Sequence, residues 1–188
     1  MSFKLFGVTI KIHFLFTAVV SLLLAVDRYG VVPYSLMSVA IHEAGHLVVM
    51  LLCKVKPCRI YLCPCGVIID SGECYNGIKR ILIAAGGPLF NLAPALFISN
   101  HSFKTAMLVN GLLNLIPIVC TDGGDIADCL YQLIKSYKLQ QCVKMIINVT
   151  FIVVIGILGA VVFYKSYNPT LLAAAIYMVI MIVVCRNA

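Results

Sequence analysis

Residues 32–53 read VPYSLMSVAIHEAGHLVVMLLC, an apolar run of membrane-crossing length with His42-Glu43-Ala44-Gly45-His46 inside it. On a helix, His42 and His46 leave the same face one turn apart, the spacing at which two imidazoles reach one metal ion. Glu43 stands beside them, in a chain with two glutamates and four histidines. Ionisable groups at membrane depth are expensive, and such a cluster is read first as a functional site. A catalytic zinc needs three protein ligands and an open position. His42 and His46 supply two, and Glu43 takes the place of the general base that removes a proton from water. The competing reading, two packing histidines bonded to polar neighbours, makes poor use of three ionisable side chains on one apolar turn.

The surrounding chain supports a membrane setting. Its 188 residues are 62% hydrophobic and 11% charged, with a mean hydropathy of +1.05. That lies outside the range of water-soluble domains, and predicts an all-α polytopic membrane protein. The run Ile10–Val26 follows Lys4 and Lys11 as a signal peptide would. Asp27-Arg28-Tyr29-Gly30 follows it in place of a small-residue cleavage pattern, which predicts a retained helix. Six spans fit the apolar runs, at about 10–26, 33–53, 81–98, 104–120, 145–164 and 169–185. With alternating loops, Lys4, Lys11, Lys54, Lys56, Arg59, Lys79, Arg80, Lys135, Lys138, Lys144 and Arg186 fall on one side. Only Arg28, Lys104 and Lys165 fall on the other. Eleven basic residues against three predict both termini in the cytoplasm. The net charge of +7 is thereby explained by topology, and the absence of a dense basic run argues against nucleic acid.

Two loops carry structure of their own. Arg59-Ile60-Tyr61-Leu62 and Val67-Ile68-Ile69-Asp70, separated by Cys63-Pro64-Cys65-Gly66, predict a β-hairpin at the membrane surface between helices 2 and 3. In 125–144, the spacing of Ile126, Cys129, Leu130, Leu133, Ile134 and Tyr137 predicts an amphipathic helix along the cytoplasmic interface. Cys58, Cys63, Cys65 and Cys74 lack the paired CxxC spacing of a structural zinc site and read as reduced thiols.

The third ligand must come from a small pool. Asp122 follows the fourth span in NLIPIVCTDGG (114–124), where Pro117 ends the helix and Gly123-Gly124 loosens the backbone. A broken helix that presents a carboxylate on the side HEAGH approaches fits a polar cavity. An ordinary aspartate in a Gly-Gly turn is the alternative. His13 and His101 are weaker candidates, His13 as a cap or a lining residue and His101 as a solvated loop residue. Gly86-Gly87-Pro88-Leu89-Phe90-Asn91 opens the third span. Asn91 at that depth needs a hydrogen-bond partner, and serves either as interhelical glue or as a donor to substrate.

Taken together, HEAGH, Gly87-Pro88-Leu89-Phe90-Asn91 and Asn114 through Gly124 resemble the site-2 protease family of intramembrane zinc metalloproteases. The resemblance covers roughly Lys11 to Gly124. Lys11-Ile12-His13, the orientation and six spans look most like the sporulation branch, that of stage IV sporulation factor B, which cuts a membrane-associated sigma-factor precursor. It implies one Zn2+ per chain on His42, His46 and Asp122, with Glu43 catalytic and Asn91 placing substrate. It also implies a single protease domain over 1–188, with a core at about 10–124 and neither a PDZ nor a nucleotide-sensing domain. The sequence departs from the family in carrying Cys120-Thr121 where Pro-Leu is usual, and Asp125 where Arg is common. That puts the rigidity of the aspartate loop in question and leaves Asp125 as a fallback ligand.

The function expected is a zinc metalloendopeptidase of the bacterial cell membrane. Its partners are a membrane-associated protein substrate, the lipid bilayer, inhibitory membrane proteins and further copies of itself. The rival classes are a membrane zinc transporter or metal sensor and an inactive protease-derived scaffold. A transporter needs polar sites along a path, and the remaining spans offer almost no ionisable residues.

Overall fold

A computed structural model describes residues 2–5, 7–63, 66–72, 77–119 and 121–166. The order of elements is β1 (Ser2–Leu5), β2 (Val8–Ile12), α1 (Phe14–Val26), α2 (Val31–Leu52), β3 (Arg59–Cys63) and β4 (Gly66–Asp70). Then come α3 (Gly77–Ala95), α4 (His101–Asn114), α5 (Asp122–Tyr131) and α6 (Tyr137–Ser166). The chain divides into two compact units, residues 1–115 and 116–188.

In the first unit α2, α3 and α4 pack on one another. Both ends of α2 are fixed locally. At its start the Asp27 carboxylate accepts from the backbone N–H of Val31 at 3.2 Å and of Val32 at 2.9 Å, satisfying donors that a helix N-terminus leaves open. Pro33 falls in the first turn, where its missing N–H costs nothing. At its end Lys54 takes a positive φ of 59°. Lys54 N–H donates to the Leu51 carbonyl and Val55 N–H to the Met50 carbonyl, which is a Schellman closure. Val55 and Met50, each 2% exposed, meet Ile83 in a small apolar core. This contact seals the end of α2 against α3.

The α2–α3 approach is unusually close. A Cβ at Gly45 would lie 2.6 Å from the Gly86 carbonyl oxygen, and a Cβ at Gly86 would lie 2.9 Å from the Gly45 carbonyl oxygen. Two glycines facing each other let the backbones touch, the arrangement small residues permit between helices that cannot rely on water to drive them together.

The expected hairpin is present as β3–β4, with Arg59 opposite Asp70 and Cys63 opposite Gly66. It is half of a larger sheet. An N-terminal hairpin, β1–β2, joins it through a parallel pairing of β2 with β3, giving the order β1-β2-β3-β4. The alternation in Val8-Thr9-Ile10-Lys11-Ile12 is short and merges with the apolar run that follows. The first helix therefore starts at Phe14, four residues later than expected from 10–26.

The six-span expectation is corrected in the described residues. Two helices are long and apolar enough to cross a membrane, α2 and residues Tyr137–Val161 of α6. With 13 and 14 residues, α1 and α4 extend only about 20 Å at 1.5 Å per residue, short of a hydrocarbon core of about 30 Å. Strand β2 takes the start of the first apolar run, and α4 stops at Asn114, ahead of Pro117. Pro88 and Pro94 lie inside α3, which continues through Pro88 and ends at Ala95. The sixth expected span, 169–185, lies outside the described residues.

In the second unit the expected amphipathic helix over 125–144 is two helices. It breaks at 132–136, and its second half opens α6. Lys144 Nζ meets the Asp128 carboxylate at 2.8 Å across that break. The pair is about a third exposed, so it is worth at most about 1 kcal/mol.

If the Gly45–Gly86 contact sets the helix spacing, Gly86→Val should overpack it. A loss of about 1–3 kcal/mol is expected, read as a lower thermal midpoint in detergent micelles. An unchanged midpoint would show that the helices have room to spare.

Candidate metal centre

Helix α2 delivers His42 and His46 to its α3-facing side, 4% and 9% exposed. Their rings stand edge to face, with centroids 4.8 Å apart. The two Nε2 atoms are 3.1 Å apart. Two nitrogens bound at about 2.0–2.1 Å to one tetrahedral ion would be separated by about 3.3 Å. The pair therefore already has close to the bite of a chelate. Glu43, the next residue, is half-buried.

Helix α3 holds both rings in place. His46 Nδ1 lies 2.7 Å from the Ile83 carbonyl oxygen. A carbonyl only accepts, so Nδ1 carries the proton, and in the neutral ring Nε2 is left with a lone pair. One turn on, Gly87 faces the two histidines directly. A Cβ there would overlap His46 Nε2 and would lie 2.6 Å from His42 Nε2. A further turn on, fully buried Asn91 places its carboxamide 3.3 Å from His42 Nδ1. Ile83, Gly87 and Asn91 follow one another at four-residue intervals, matching the i, i+4 pair they address. Ile83 contributes a backbone carbonyl, which no side-chain pattern in the sequence announces, and Gly87 contributes only the absence of a side chain.

Asp122 is the first residue of α5, capped by Thr121. Thr121 Oγ1 accepts from Gly124 N–H at 3.1 Å and donates to the Ile118 carbonyl at 2.7 Å. Asn148 Oδ1 takes the Val119 N–H at 3.1 Å. Gly124 admits no side chain, since a Cβ would overlap the Ile118 carbonyl oxygen. Thr121 thus ties the aspartate loop down through its side-chain hydroxyl. Among the described residues, His42 and His46 on α2 offer two imidazole nitrogens and Asp122 at the start of α5 a carboxylate oxygen, the candidate donor set for a metal. Two imidazole nitrogens and a carboxylate oxygen suit zinc.

The other candidates have separate roles. His13 is the N-cap of α1, with Nδ1 accepting from Leu15 N–H at 3.4 Å. His101 sits exposed at the start of α4, bonded to the Thr105 hydroxyl at 3.0 Å. Asp125 lies in the first turn of α5, outside the three-residue group. Cys58 donates its thiol proton to the Ser71 carbonyl at 3.1 Å, and Cys58 and Cys63 are free thiols. Cys65 and Cys74 lie outside the described residues.

Two substitutions separate the parts of this site. Gly87→Ala should lower bound zinc at least tenfold by filling the space in front of both Nε2 atoms, with far-UV circular dichroism unchanged; full zinc occupancy would refute the steric assignment. Thr121→Val should cost about 1 kcal/mol through the lost cap, measured by thermal unfolding.

No protein-family model matches the chain, and no curated protein matches it. Among solved structures, the site-2 protease from Methanocaldococcus jannaschii is similar, with a TM-score of 0.67 and 22% identity. The alignment covers 95% of this chain and 92% of that one. The likeness is one of fold, and it extends over nearly the whole chain.

Proposed function

We propose that the chain is a zinc-dependent intramembrane endopeptidase that hydrolyses a peptide bond of a membrane-associated protein near the cytoplasmic face. The observation that carries this reading is the pre-formed chelate: two HExxH imidazoles with Nε2 atoms 3.1 Å apart on an apolar helix of membrane-crossing length. The fold shared with a site-2 protease supports it. So does the outer surface, where Phe14, Leu22 and Val26 of α1 are 79%, 64% and 66% exposed. Apolar patches on that scale suit lipid better than water.

His42, His46 and Asp122 would hold the ion, which supplies a Lewis acid to water and to the scissile carbonyl when bound. Glu43 takes a proton from the attacking water and delivers it to the leaving amine nitrogen, the shuttle a carboxylate beside the reaction centre can perform. The ordered α2–α3 contact keeps both imidazoles oriented, so little reorganisation is needed as charge develops.

Substrate would bind as an extended strand on the sheet. Strand β3 has a neighbour on each side, β2 and β4, and cannot take another. Substrate pairing is therefore assigned to the outer edge of β4, Gly66–Asp70. Within this reading the protein is multi-pass in a bacterial cell membrane with cytoplasmic termini. The motif resemblance favours a sigma-factor precursor in sporulation as the substrate, and inhibitory membrane proteins and self-association as regulation.

The test is cleavage of a co-expressed membrane-anchored substrate, with zinc measured on the same preparations. Glu43→Gln should abolish cleavage and keep about one zinc per chain, as expected for a base that is not a ligand. Asp122→Asn should lose both. Cleavage by Glu43→Gln at the wild-type rate would rule the mechanism out.

A further inference from the structure

The buried carboxamide of Asn91 has an unbalanced environment. With its nitrogen toward His42 Nδ1, at 3.3 Å, its oxygen has no hydrogen-bond partner although the side chain is fully buried. A buried acceptor without a donor is unfavourable. The two ends of a carboxamide are assigned from their partners, and the partner here, His42 Nδ1, donates or accepts according to its tautomer.

We infer that Asn91 is a positioning residue whose Oδ1 accepts the Nδ1 proton of His42, fixing the tautomer that leaves Nε2 free to bind metal. This rests on the metal-centre reading above. With the nitrogen toward the ring, His42 Nδ1 must accept, and the neutral ring carries its proton on Nε2, pointing at His46 Nε2 3.1 Å away. That state is a hydrogen-bonded histidine pair that excludes a metal. With the oxygen toward the ring, His42 matches His46, whose Nδ1 proton goes to the Ile83 carbonyl. Both Nε2 lone pairs then face one point, as a shared cation requires. Metal-bound histidines commonly donate their other ring N–H to an oxygen in this way. The amide nitrogen becomes the unpartnered end, and it is a donor. A peptide substrate brings the matching acceptors, its carbonyl groups, so one side chain would serve ligand and substrate from its two ends.

Zn2+ affinity of the full chain in micelles, measured by competition with a chelator, tests this without using activity. Asn91→Ala should weaken zinc binding 10–100-fold. Asn91→Asp, which can accept but not donate, should stay within roughly threefold of wild type. Wild-type affinity in Asn91→Ala, or an Asn91→Asp variant as weak as Asn91→Ala, would overturn the inference and leave the metal site standing. A wild-type protein that binds no zinc would overturn the metal site itself. A measurement on the unsubstituted protein guards against variants that do not fold. In metal-free, 15N-histidine-labelled wild type, the His42 proton should be found on Nδ1. A proton on Nε2 refutes the inference.

Discussion

The contact between α2 and α3 is the constraint on which the rest depends. HExxH puts two imidazoles on one helix face, but a histidine ring on its own can rotate and can carry its proton on either nitrogen. Helix α3 removes both freedoms with three residues four apart. Ile83 gives a carbonyl to His46, Gly87 gives empty space in front of both Nε2 atoms, and Asn91 gives a carboxamide to His42. None of this works unless the helices touch, which is the part played by the reciprocal Gly45 and Gly86 approach. The Schellman closure of α2, with Val55 and Met50 packed against Ile83, anchors the same interface one turn beyond the histidines.

The second unit solves a different problem, that of holding a carboxylate at a helix start. An aspartate in the first turn of a helix is favoured by the helix dipole. Asp122 occupies that position, while Thr121 caps the helix and ties the preceding turn to Ile118. Asn148 holds the backbone at Val119 from α6. Stability here comes from a few local hydrogen bonds, each worth about 1 kcal/mol.

Much of the site was legible in the sequence because ionisable residues are so scarce in an apolar chain. His42, Glu43, His46 and Asp122 could be picked out by what their surroundings cannot tolerate, and Asn91 by the cost of burying an amide. The β3–β4 hairpin could be read from β-branched residues broken by Pro and Gly. What the sequence hid follows equally from physics. A backbone carbonyl such as that of Ile83 leaves no residue-type signature. Strand β2 alternates in only five residues before a long apolar run, so hydropathy merges it with α1. Apolar length also overstates helix length, because α4 stops at Asn114, ahead of Pro117, inside a run that hydropathy alone leaves whole.

The central claim is that two imidazole nitrogens and a carboxylate oxygen bind one zinc ion in this fold. X-ray absorption at the zinc edge on the purified full chain reads that ligand set directly. Nitrogen and oxygen scatterers at about 2.0–2.1 Å, with the multiple-scattering signal of two imidazoles and no sulfur, are predicted. A sulfur shell at about 2.3 Å, which would move the metal to the cysteines, or no stoichiometric metal after reconstitution, would contradict the account.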